Sequence, residues 1–437
     1  KSNWVLRGGA GLFYDRPDGN TTFSTPGNPP TATAQDLRNG QLATLGQGLS
    51  PQPVATLITF QYKAKVPASW QWQAGIQKSL PWEMVGDVMY VGNHGLNRMG
   101  AFQGGQRQNL NAVDIGAGYL PRNQDPTLGT STIPGQTAYT SNLLRPFKGF
   151  AGIEENQTEF WDTYHSLQFN VNRRFRGGFS LGANYTYGIS LKGNTGLNKR
   201  LQHAADGTIS LRADQAQYEK LMEKLDVRPH LLKANGVWII PGIKSKGAVL
   251  GALTKDWQLS GVLTAGSAAA YDLGYSYTSN GSNVNITGSP DWGGRMILAS
   301  GLGSGCSDNQ YGQFNASAVR APGYGSVGME SGRQTLRGCP NKNVDMSIVR
   351  RIRFVGGERY QLELRADVFN VTNTAVITGR NSSANFDNPT SMTLSNNQFN
   401  ADGSLNQSRA TPRNAGFGAA NGAGALRNIQ LQLRFQF

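Results

Sequence analysis

Three observations in the sequence predict an all-β fold, an antiparallel transmembrane β-barrel with long extracellular loops. Ten segments alternate apolar and polar residues with period two, each near the roughly ten-residue length of a tilted barrel strand. The connections between these segments alternate strictly between short and long. No stretch approaches the roughly 18 to 20 consecutive apolar residues that a membrane-spanning helix requires.

The composition agrees with a sheet-rich and loop-rich protein. The 437 residues include 56 glycines, and only 38% are hydrophobic and 16% charged. A soluble α/β enzyme usually has more charged residues and fewer glycines. The strands of a barrel are apolar only at alternate positions, so the modest hydrophobic content is compatible with a membrane.

The last strand shows the alternation most clearly. One face carries Ile429, Leu431, Leu433, Phe435 and Phe437, and the other carries Gln430, Gln432, Arg434 and Gln436. A strand with one apolar and one polar face separates an apolar medium from water. We expect Leu431, Leu433, Phe435 and Phe437 to form the closing strand, with Phe437 at the periplasmic rim.

The other nine strands are predicted by the same pattern. The segment from Tyr360 to Val368 places Glu363, Arg365 and Asp367 on its polar face, which we expect to line the barrel lumen together with Arg434. The segment 69–80 presents Trp70 and Trp72 on its apolar face. Further strands are predicted at about 3–14, 83–92, 164–175, 178–189, 230–240, 256–272 and 343–354.

The connections orient these strands in the membrane. Short links lie near Pro81-Trp82, Arg176-Gly177-Gly178, Pro241 to Lys255, and Gly356-Gly357, and long links span about 15–68, 93–163, 190–229, 273–342 and 372–423. Structureless loops of this length are uncommon in soluble domains. Outer-membrane barrels join their strands by short periplasmic turns and long extracellular loops. A periplasmic C-terminus therefore makes all the long loops extracellular.

Two cysteines, Cys306 and Cys339, fall in one of these long loops. They could form one disulfide in an oxidising compartment or remain two buried thiols. The extracellular position of the loop favours the disulfide.

Basic and aromatic residues recur near the predicted turns. The basic ones include Arg173, Arg174 and Arg176, and the predicted interfacial aromatics are Trp70, Trp72, Trp82, Trp257, Phe175 and Phe179. The formal charge of +14 is also compatible with nucleic-acid binding. A charge spread over turn ends beside aromatic rings indicates outer-membrane lipid headgroups instead, so we expect no nucleic-acid partner.

Five segments, which follow one another along the chain, are similar to segments of one protein family. They are Arg7-Gly-Gly-Ala-Gly-Leu-Phe-Tyr-Asp15, Gly182-Ala-Asn-Tyr-Thr-Tyr187, Asp226-Val-Arg-Pro-His230, Asp256-Trp-Gln-Leu-Ser-Gly261 and Leu364-Arg-Ala-Asp-Val-Phe-Asn370. Together they resemble landmarks of large TonB-dependent outer-membrane receptors, most closely the Oar-like type of Acidobacteria. The closing segment from Leu431 to Phe437 resembles the C-terminal signal that the barrel-assembly machinery recognises.

The resemblance implies a larger architecture than ten strands. Such receptors carry a carboxypeptidase-regulatory-like domain, a plug and a 22-stranded barrel, and the TonB-ExbB-ExbD system acts on the plug. We expect residues 1–437 to be the C-terminal portion of the barrel, with the plug, the regulatory-like domain and the earlier strands outside this chain. The remaining strands would belong to another segment or a second polypeptide, because unpaired strand edges are not viable in lipid.

No catalytic, cofactor or metal site is predicted. The histidines His94, His165, His203 and His230 lack metal-ligand spacing, and each is expected to be a polar loop or strand-end residue. Asp15, Asp18 and Asn20 have a loosely calcium-like spacing but lack the terminal bidentate acid, which favours a turn. The set Glu363, Arg365 and Asp367 could form an acid/base cluster, although such pairs usually line a barrel interior. The segment 213–225 predicts a helix in a loop, either packed on neighbouring loops or acting as a lid.

Three functions remain open at this point. The leading hypothesis is a TonB-dependent transporter barrel for energy-coupled uptake of an unidentified solute, and the protein is then not an enzyme. An Oar-like surface adhesion or protein-export barrel is the second, because loops carry binding in rigid scaffolds. A soluble secreted β-sandwich binding protein is the third, and it requires Trp70, Trp72 and Leu431 to be buried between sheets.

Overall fold

A computed structural model of the chain describes residues 3–16, 19, 23, 25–28, 55–99, 107–242, 254–278, 286–354 and 360–437. Its largest element is an antiparallel sheet of ten strands. We label these strands β1 (Trp4–Tyr14), β2 (Ala68–Leu80), β3 (Met84–Arg98), β4 (Phe160–Arg176), β5 (Phe179–Gly193), β6 (His230–Ile240), β7 (Trp257–Gly266), β8 (Asn341–Arg353), β9 (Gln361–Phe369) and β10 (Asn428–Gln436).

Each strand of this sheet pairs with its neighbours in chain order, so the sheet is a continuous meander. All ten predicted strands are confirmed. The strand predicted at 256–272 ends earlier, at Gly266, and Ala270–Tyr271 pairs instead with Leu336–Arg337 in a separate small sheet. The Arg337 guanidinium donates to the Ala268 carbonyl at 2.8 Å, which holds the chain away from the large sheet.

The pairing register aligns like residues across the sheet. One row across β6 to β10 contains Trp238, Leu259, Ile348, Ala366 and Leu431. The adjacent row on the opposite face contains Val237, Ser260, Ser347, Asp367 and Gln430. The apolar row is exposed, at 43% for Trp238, 42% for Ile348 and 80% for Leu431.

This exposure decides against a soluble sandwich. That fold requires the apolar face to be buried between sheets, yet Trp70 is 45% exposed and Leu431 is 80% exposed. A sheet with one exposed apolar face and one polar face fits a lipid boundary.

Polar side chains link neighbouring strands on the other face. Asn170 of β4 donates to Asp87 of β3 at 2.8 Å, and Asn184 of β5 donates in turn to Asn170. Such a ladder satisfies amide groups laterally, strand by strand.

The connections alternate between short and long, as predicted. Short ones are residues 81–83, Gly177 with Gly178, 241–256 and 354–360, and long ones are 15–67, 99–159, 194–229, 267–340 and 370–427. Gly177 and Gly178 have φ of 61° and 80°, the conformation of a type I′ hairpin turn that glycine adopts without strain. The predicted turn at Gly356-Gly357, and residues 243–253 of another, lie outside the described residues.

The long connections have secondary structure of their own, beyond the one helix that the sequence predicts. The connections contain further strands at Ala55–Phe60, Gln108–Asn109, Phe150–Asn156, Leu201–His203, Ile209–Leu211, Gly274–Tyr277, Ile297–Leu298, Val319–Arg320, Ile377–Arg380, Ser383–Phe386 and Ala420–Ala423. Short α-helices lie at Ser141–Leu144 and Gln215–Met222, the latter within the predicted helical segment. Of the helices in the described ranges, none is long and apolar enough to cross a membrane.

The connections 267–340 and 370–427 share a hydrophobic core. Its buried members are Leu273, Met296, Phe314, Val319, Ala321, Leu336, Ala384, Phe386 and Phe417. Gly274–Tyr277 pairs in parallel with Ser383–Phe386, which joins the two connections by backbone hydrogen bonds. Local sequence periodicity could not reveal this core, because its residues come from distant parts of the chain.

Candidate functional site

The long connections pack together into one body, which we call the loop body and which comprises the described residues of 99–159, 194–229, 267–340 and 370–427. Arg333 ties three parts of it. Its guanidinium donates to the carbonyls of Met222 at 2.7 Å, Thr195 at 3.2 Å and Gly193 at 3.3 Å. One side chain thus holds the end of the helix Gln215–Met222 and the end of β5. This packing favours the structural role that we weighed for that helix.

Asp291 makes a second link between connections. Its carboxylate pairs with Arg145 at 3.0 Å and accepts the backbone N–H of Val113 at 2.8 Å. Both charged side chains are largely shielded from water, at 11% and 19% exposure. The pair therefore joins the connections 99–159 and 267–340.

His203 is a structural clamp. Its side chain is only 3% exposed, with Nδ1 at 2.7 Å from an Asp114 carboxylate oxygen and Nε2 at 2.9 Å from the Leu110 carbonyl. We expected a polar loop or strand-end residue, and His203 does lie in a long connection. The sequence did not indicate that its side chain is shielded from water.

The other three histidines lie beside aromatic rings of the large sheet. The Tyr90 hydroxyl lies 2.7 Å from Nδ1 of His165, and the Tyr185 hydroxyl lies 2.7 Å from Nδ1 of His230. His94 faces the Trp161 ring at a centroid distance of 6.4 Å. Throughout the described residues, no group of three or more His, Cys, Asp or Glu side chains could hold a metal ion.

The expected disulfide is present between Cys306 and Cys339. Next to it, the Tyr271 hydroxyl donates to the Gly305 carbonyl at 2.9 Å. Burial raises the pKa of Tyr271 to about 12, although the nearby Arg380 guanidinium, 4.7 Å from the ring centre, opposes the rise. Tyr271 therefore stays a neutral hydrogen-bond donor and fixes the segment that carries Cys306.

A cavity of about 660 Å³ lies on the polar face where β8, β9 and β10 meet the loop body; we call it the mouth cavity. Its lining residues are Arg228, Ser267, Ala268, Ala269, Gly338, Cys339, Asn341, Lys342, Asn343, Asp345, Phe369, Asn370, Thr374, Val376, Ile377, Thr378, Arg380, Gly424, Ala425, Leu426 and Asn428. This volume is typical of sites for small molecules.

Asn370 organises the mouth cavity. It is 7% exposed, and its side-chain amide donates to the carbonyls of Thr374 at 3.1 Å and Ala425 at 3.0 Å. Its backbone N–H donates to Asp345 at 2.8 Å. One residue thus joins the end of β9 to both ends of the last long connection and to β8.

The sequence did not indicate Asn370 as a site residue, although Asn370 is the last residue of the segment Leu364–Asn370, one of the five that carry the family resemblance. It also missed Arg333 and Arg380, which no local pattern distinguishes from other loop arginines. Their partners lie in other connections, so only the assembled loops give them a role.

The predicted lumen-facing charges lie together on the polar face. Glu363 accepts from Arg351 at 2.9 Å, and Arg365 pairs with Asp367 at 2.8 Å. Arg434 is the cross-strand neighbour of Glu363. The carboxylates of this set are thus held in ion pairs along the wall.

The predicted closing residues lie on the apolar face of β10. Leu431, Leu433 and Phe435 are 80%, 69% and 53% exposed, and Phe435 stacks near Phe437 at a centroid distance of 6.2 Å. Within the described sheet, β10 pairs on one edge only, with β9.

The predicted interfacial aromatics divide between the two ends of the sheet. Trp82, Phe175, Phe179 and Trp257 lie at the short-turn end, whereas Trp70 and Trp72 lie toward the loop-body end of β2. Arg173 packs over Phe179 at 5.1 Å and donates to the Trp82 carbonyl at 2.9 Å. This arginine therefore fastens two turns together as well as carrying charge.

Comparison with known proteins gives one family. A family model described as an outer membrane beta barrel domain matches residues 1–430. No curated protein matches the chain.

Solved structures of two outer-membrane proteins also match. The outer membrane transporter YddB from Escherichia coli has 8% identity and a TM-score of 0.42, over 99% of this chain and 38% of that one. A mutant of the ferric enterobactin receptor from Pseudomonas aeruginosa has 12% identity and a TM-score of 0.40, over 100% and 38%. A second mutant of that receptor, in complex with enterobactin, has 12% identity and a TM-score of 0.35, over 85% and 32%. The chain thus spans well under half the length of these proteins.

Proposed function

Because this chain belongs to the family of outer membrane beta barrel domains, we propose that its ten strands form part of the wall of a barrel that takes up a solute across the bacterial outer membrane. The observation that carries the proposal is the sidedness of the sheet. One face is apolar and exposed, the other is polar, and the long connections gather into a folded body. This arrangement suits a lipid-facing wall around an aqueous lumen with a loop-built entrance.

Barrel closure is part of the proposal. In the described sheet β1 pairs only with β2, and β10 pairs only with β9, so each end strand has a free edge. An unpaired edge exposes backbone polar groups that lipid cannot satisfy. We infer that further strands, from another segment or a second polypeptide, pair with these two edges, as in the 22-stranded barrel of the receptors that the sequence resembles.

Energy coupling and orientation rest on the same resemblance, to TonB-dependent receptors of the Oar-like type. TonB, with ExbB and ExbD, would act on a plug inside the completed barrel, and the barrel-assembly machinery would recognise the segment from Leu431 to Phe437. The short turns would then be periplasmic and the loop body extracellular. The disulfide in the loop body supports this orientation, because disulfides persist in oxidising surroundings.

Membrane fractionation tests the location. We expect the protein in detergent-solubilised outer membranes, with a gel mobility that changes on heating. Recovery of the folded protein in the soluble fraction would contradict the proposal.

Growth assays test the uptake role. Deletion of the gene and loss of TonB should abolish growth on the same solute, because both remove the same transport step. Growth that persists without TonB would refute energy-coupled uptake.

Surface adhesion or protein export is a second candidate function. It is favoured by the loop body, whose own hydrophobic core makes it a stable surface for a large partner. A deletion strain that keeps all solute uptake but loses adhesion or export would support this second function.

A further inference from the structure

The mouth cavity has a chemistry that narrows the class of ligand. Residues Asn343 and Asp345 of β8, Phe369 of β9 and Asn428 of β10 all lie on the polar face, as the pairing register requires. The cavity therefore opens on the side that the proposed function assigns to the lumen. Two connections, 267–340 and 370–427, supply the rest of its wall, with Arg228 from a third.

The wall of the mouth cavity is held in place by contacts independent of any ligand. The disulfide fixes Cys339, and Arg337 fixes the Ala268 carbonyl at 2.8 Å while pairing with Asp226 at 3.3 Å. The amide of Asn370 fixes the opposite side. A preformed wall lowers the entropy cost of binding, so the cavity can recognise a small ligand.

Positive charge exceeds negative charge in the lining. Arg228 and Arg380 are cationic, and Asp345 is the acidic lining residue. Lys342 also borders the cavity, but its pairing with Ala265 puts its side chain on the apolar face, with Val344. Asp345 already accepts hydrogen bonds from the Asn370 backbone at 2.8 Å and the Asn343 amide at 2.9 Å. The structure therefore leaves cationic side chains to be matched by an anionic group.

Arg228 is exposed and makes no ion pair with any described residue. The amides of Asn341 and Asn428 and the hydroxyl of Thr378 line the same cavity. Amides and hydroxyls both donate and accept hydrogen bonds, as the hydroxyl groups of a sugar require. Val376 and Leu426 add apolar surface, which suits the C–H face of a sugar ring.

A second groove, of about 750 Å³, provides the contrast. It is also rich in cations, but Arg145 pairs with Asp291 at 3.0 Å and Arg212 pairs with Asp214 at 3.0 Å. These two charges already serve the fold of the loop body, whereas Arg122 and Lys148 of the groove make no ion pair with a described residue. Charge alone therefore does not separate the two sites. The groove is lined by the loop body alone, whereas the mouth cavity is also lined by polar-face residues of β8, β9 and β10, which makes it the better candidate for a solute on the lumen side.

We propose that the mouth cavity binds a small anionic saccharide, of one to a few sugar units carrying a carboxylate. Arg228 contacts the carboxylate, and the amides of Asn341 and Asn428 contact the hydroxyl groups. This proposal rests on the proposed function, because it names the class of solute that the barrel would receive.

Calorimetric titration of the full protein, purified from outer membranes in detergent, tests it with two probes. Digalacturonate carries carboxylates, and galactobiose is its neutral counterpart. We expect digalacturonate to bind at least about tenfold more tightly, the difference expected for one charged hydrogen bond. Its affinity should fall as salt rises from about 0.05 to 0.5 M, because salt screens exposed charges, whereas that of galactobiose should not. Equal affinities for the two probes, or no saturable binding of digalacturonate, would overturn the proposal.

Variants assign the contacts. R228Q should weaken digalacturonate about tenfold and leave galactobiose unchanged. N428L should weaken both probes, because it removes a contact to hydroxyl groups. The matched control is R320Q, which removes an exposed loop arginine outside the cavity and should change neither affinity. If R320Q weakens digalacturonate as much as R228Q does, the effect is general charge attraction and the proposed site is wrong.

The heat-dependent gel mobility of each variant reports whether its barrel is folded. A folded barrel in the outer membrane that binds neither probe refutes the ligand class and leaves the proposed function standing. A protein recovered from the soluble fraction refutes the proposed function itself.

Discussion

Two adjacent residues of β7, a strand paired on both sides, provide the sharpest test of which face of the sheet contacts lipid. Leu263 lies on the apolar face, opposite Ala234 of β6 and Val344 of β8. We expect Leu263→Arg to lower the free energy of unfolding in a bilayer by about 2 to 4 kcal/mol, because it places a guanidinium in hydrocarbon near the middle of the strand. This loss corresponds to a factor of roughly 30 to 700 in the folding equilibrium.

The control is the preceding residue. Val262 lies on the polar face, 50% exposed, and its cross-strand neighbours are Asn235 and Asp345. An arginine here faces water and can approach the Asp345 carboxylate. We therefore expect Val262→Arg to change the free energy of unfolding by less than about 0.5 kcal/mol.

Denaturant unfolding of the full protein in phosphatidylcholine vesicles, followed by tryptophan fluorescence, measures both variants. Linear extrapolation gives the free energies to be compared. Equal losses for the two variants would refute the sidedness of the sheet. A larger loss for Val262→Arg would reverse the assignment of lipid and lumen faces.

Three further predictions concern the loop body. Replacing Cys306 and Cys339 by serine removes a cross-link across 33 residues. The loop-closure entropy of this cross-link corresponds to about 4 kcal/mol. Hydrogen exchange of the loop core should therefore accelerate, and unchanged exchange would contradict this prediction. Phe417→Ala deletes a ring that is 2% exposed and should lower loop-body stability by about 3 to 5 kcal/mol. Limited proteolysis should then cut the loops faster, while the heat-modifiable gel mobility of the barrel persists. Loss of that mobility as well would show that the loops and the wall unfold together. The hydrogen bond from the Lys199 ammonium lowers the pKa of Glu159. This contact is therefore present at neutral pH and is lost as the pH falls through the lowered pKa, below the usual range of a glutamate. NMR of the Lys199 ammonium should show the change, and persistence of the same change in Glu159→Gln would assign it to another group.

The ten strands and their sidedness were predictable from the sequence, because the period-two pattern is a local property of the backbone. In β10, Leu431 and Gln430 point to opposite faces whatever the rest of the chain does. The alternation of turns and loops needed no tertiary information either. The disulfide was favoured by the expected compartment, because Cys306 and Cys339 fall in one loop that is predicted to be extracellular.

The loop body and the mouth cavity were decided by the tertiary structure alone. Arg333 donates to the Met222 carbonyl across 111 residues, and Tyr277 pairs with Phe386 across a comparable separation. No periodicity within one segment encodes such contacts, because each depends on where another segment lies. The sequence by itself therefore determined the wall and its two faces, whereas only long-range packing determined how the loops fold and where Arg228, Asn370 and Asn428 come together.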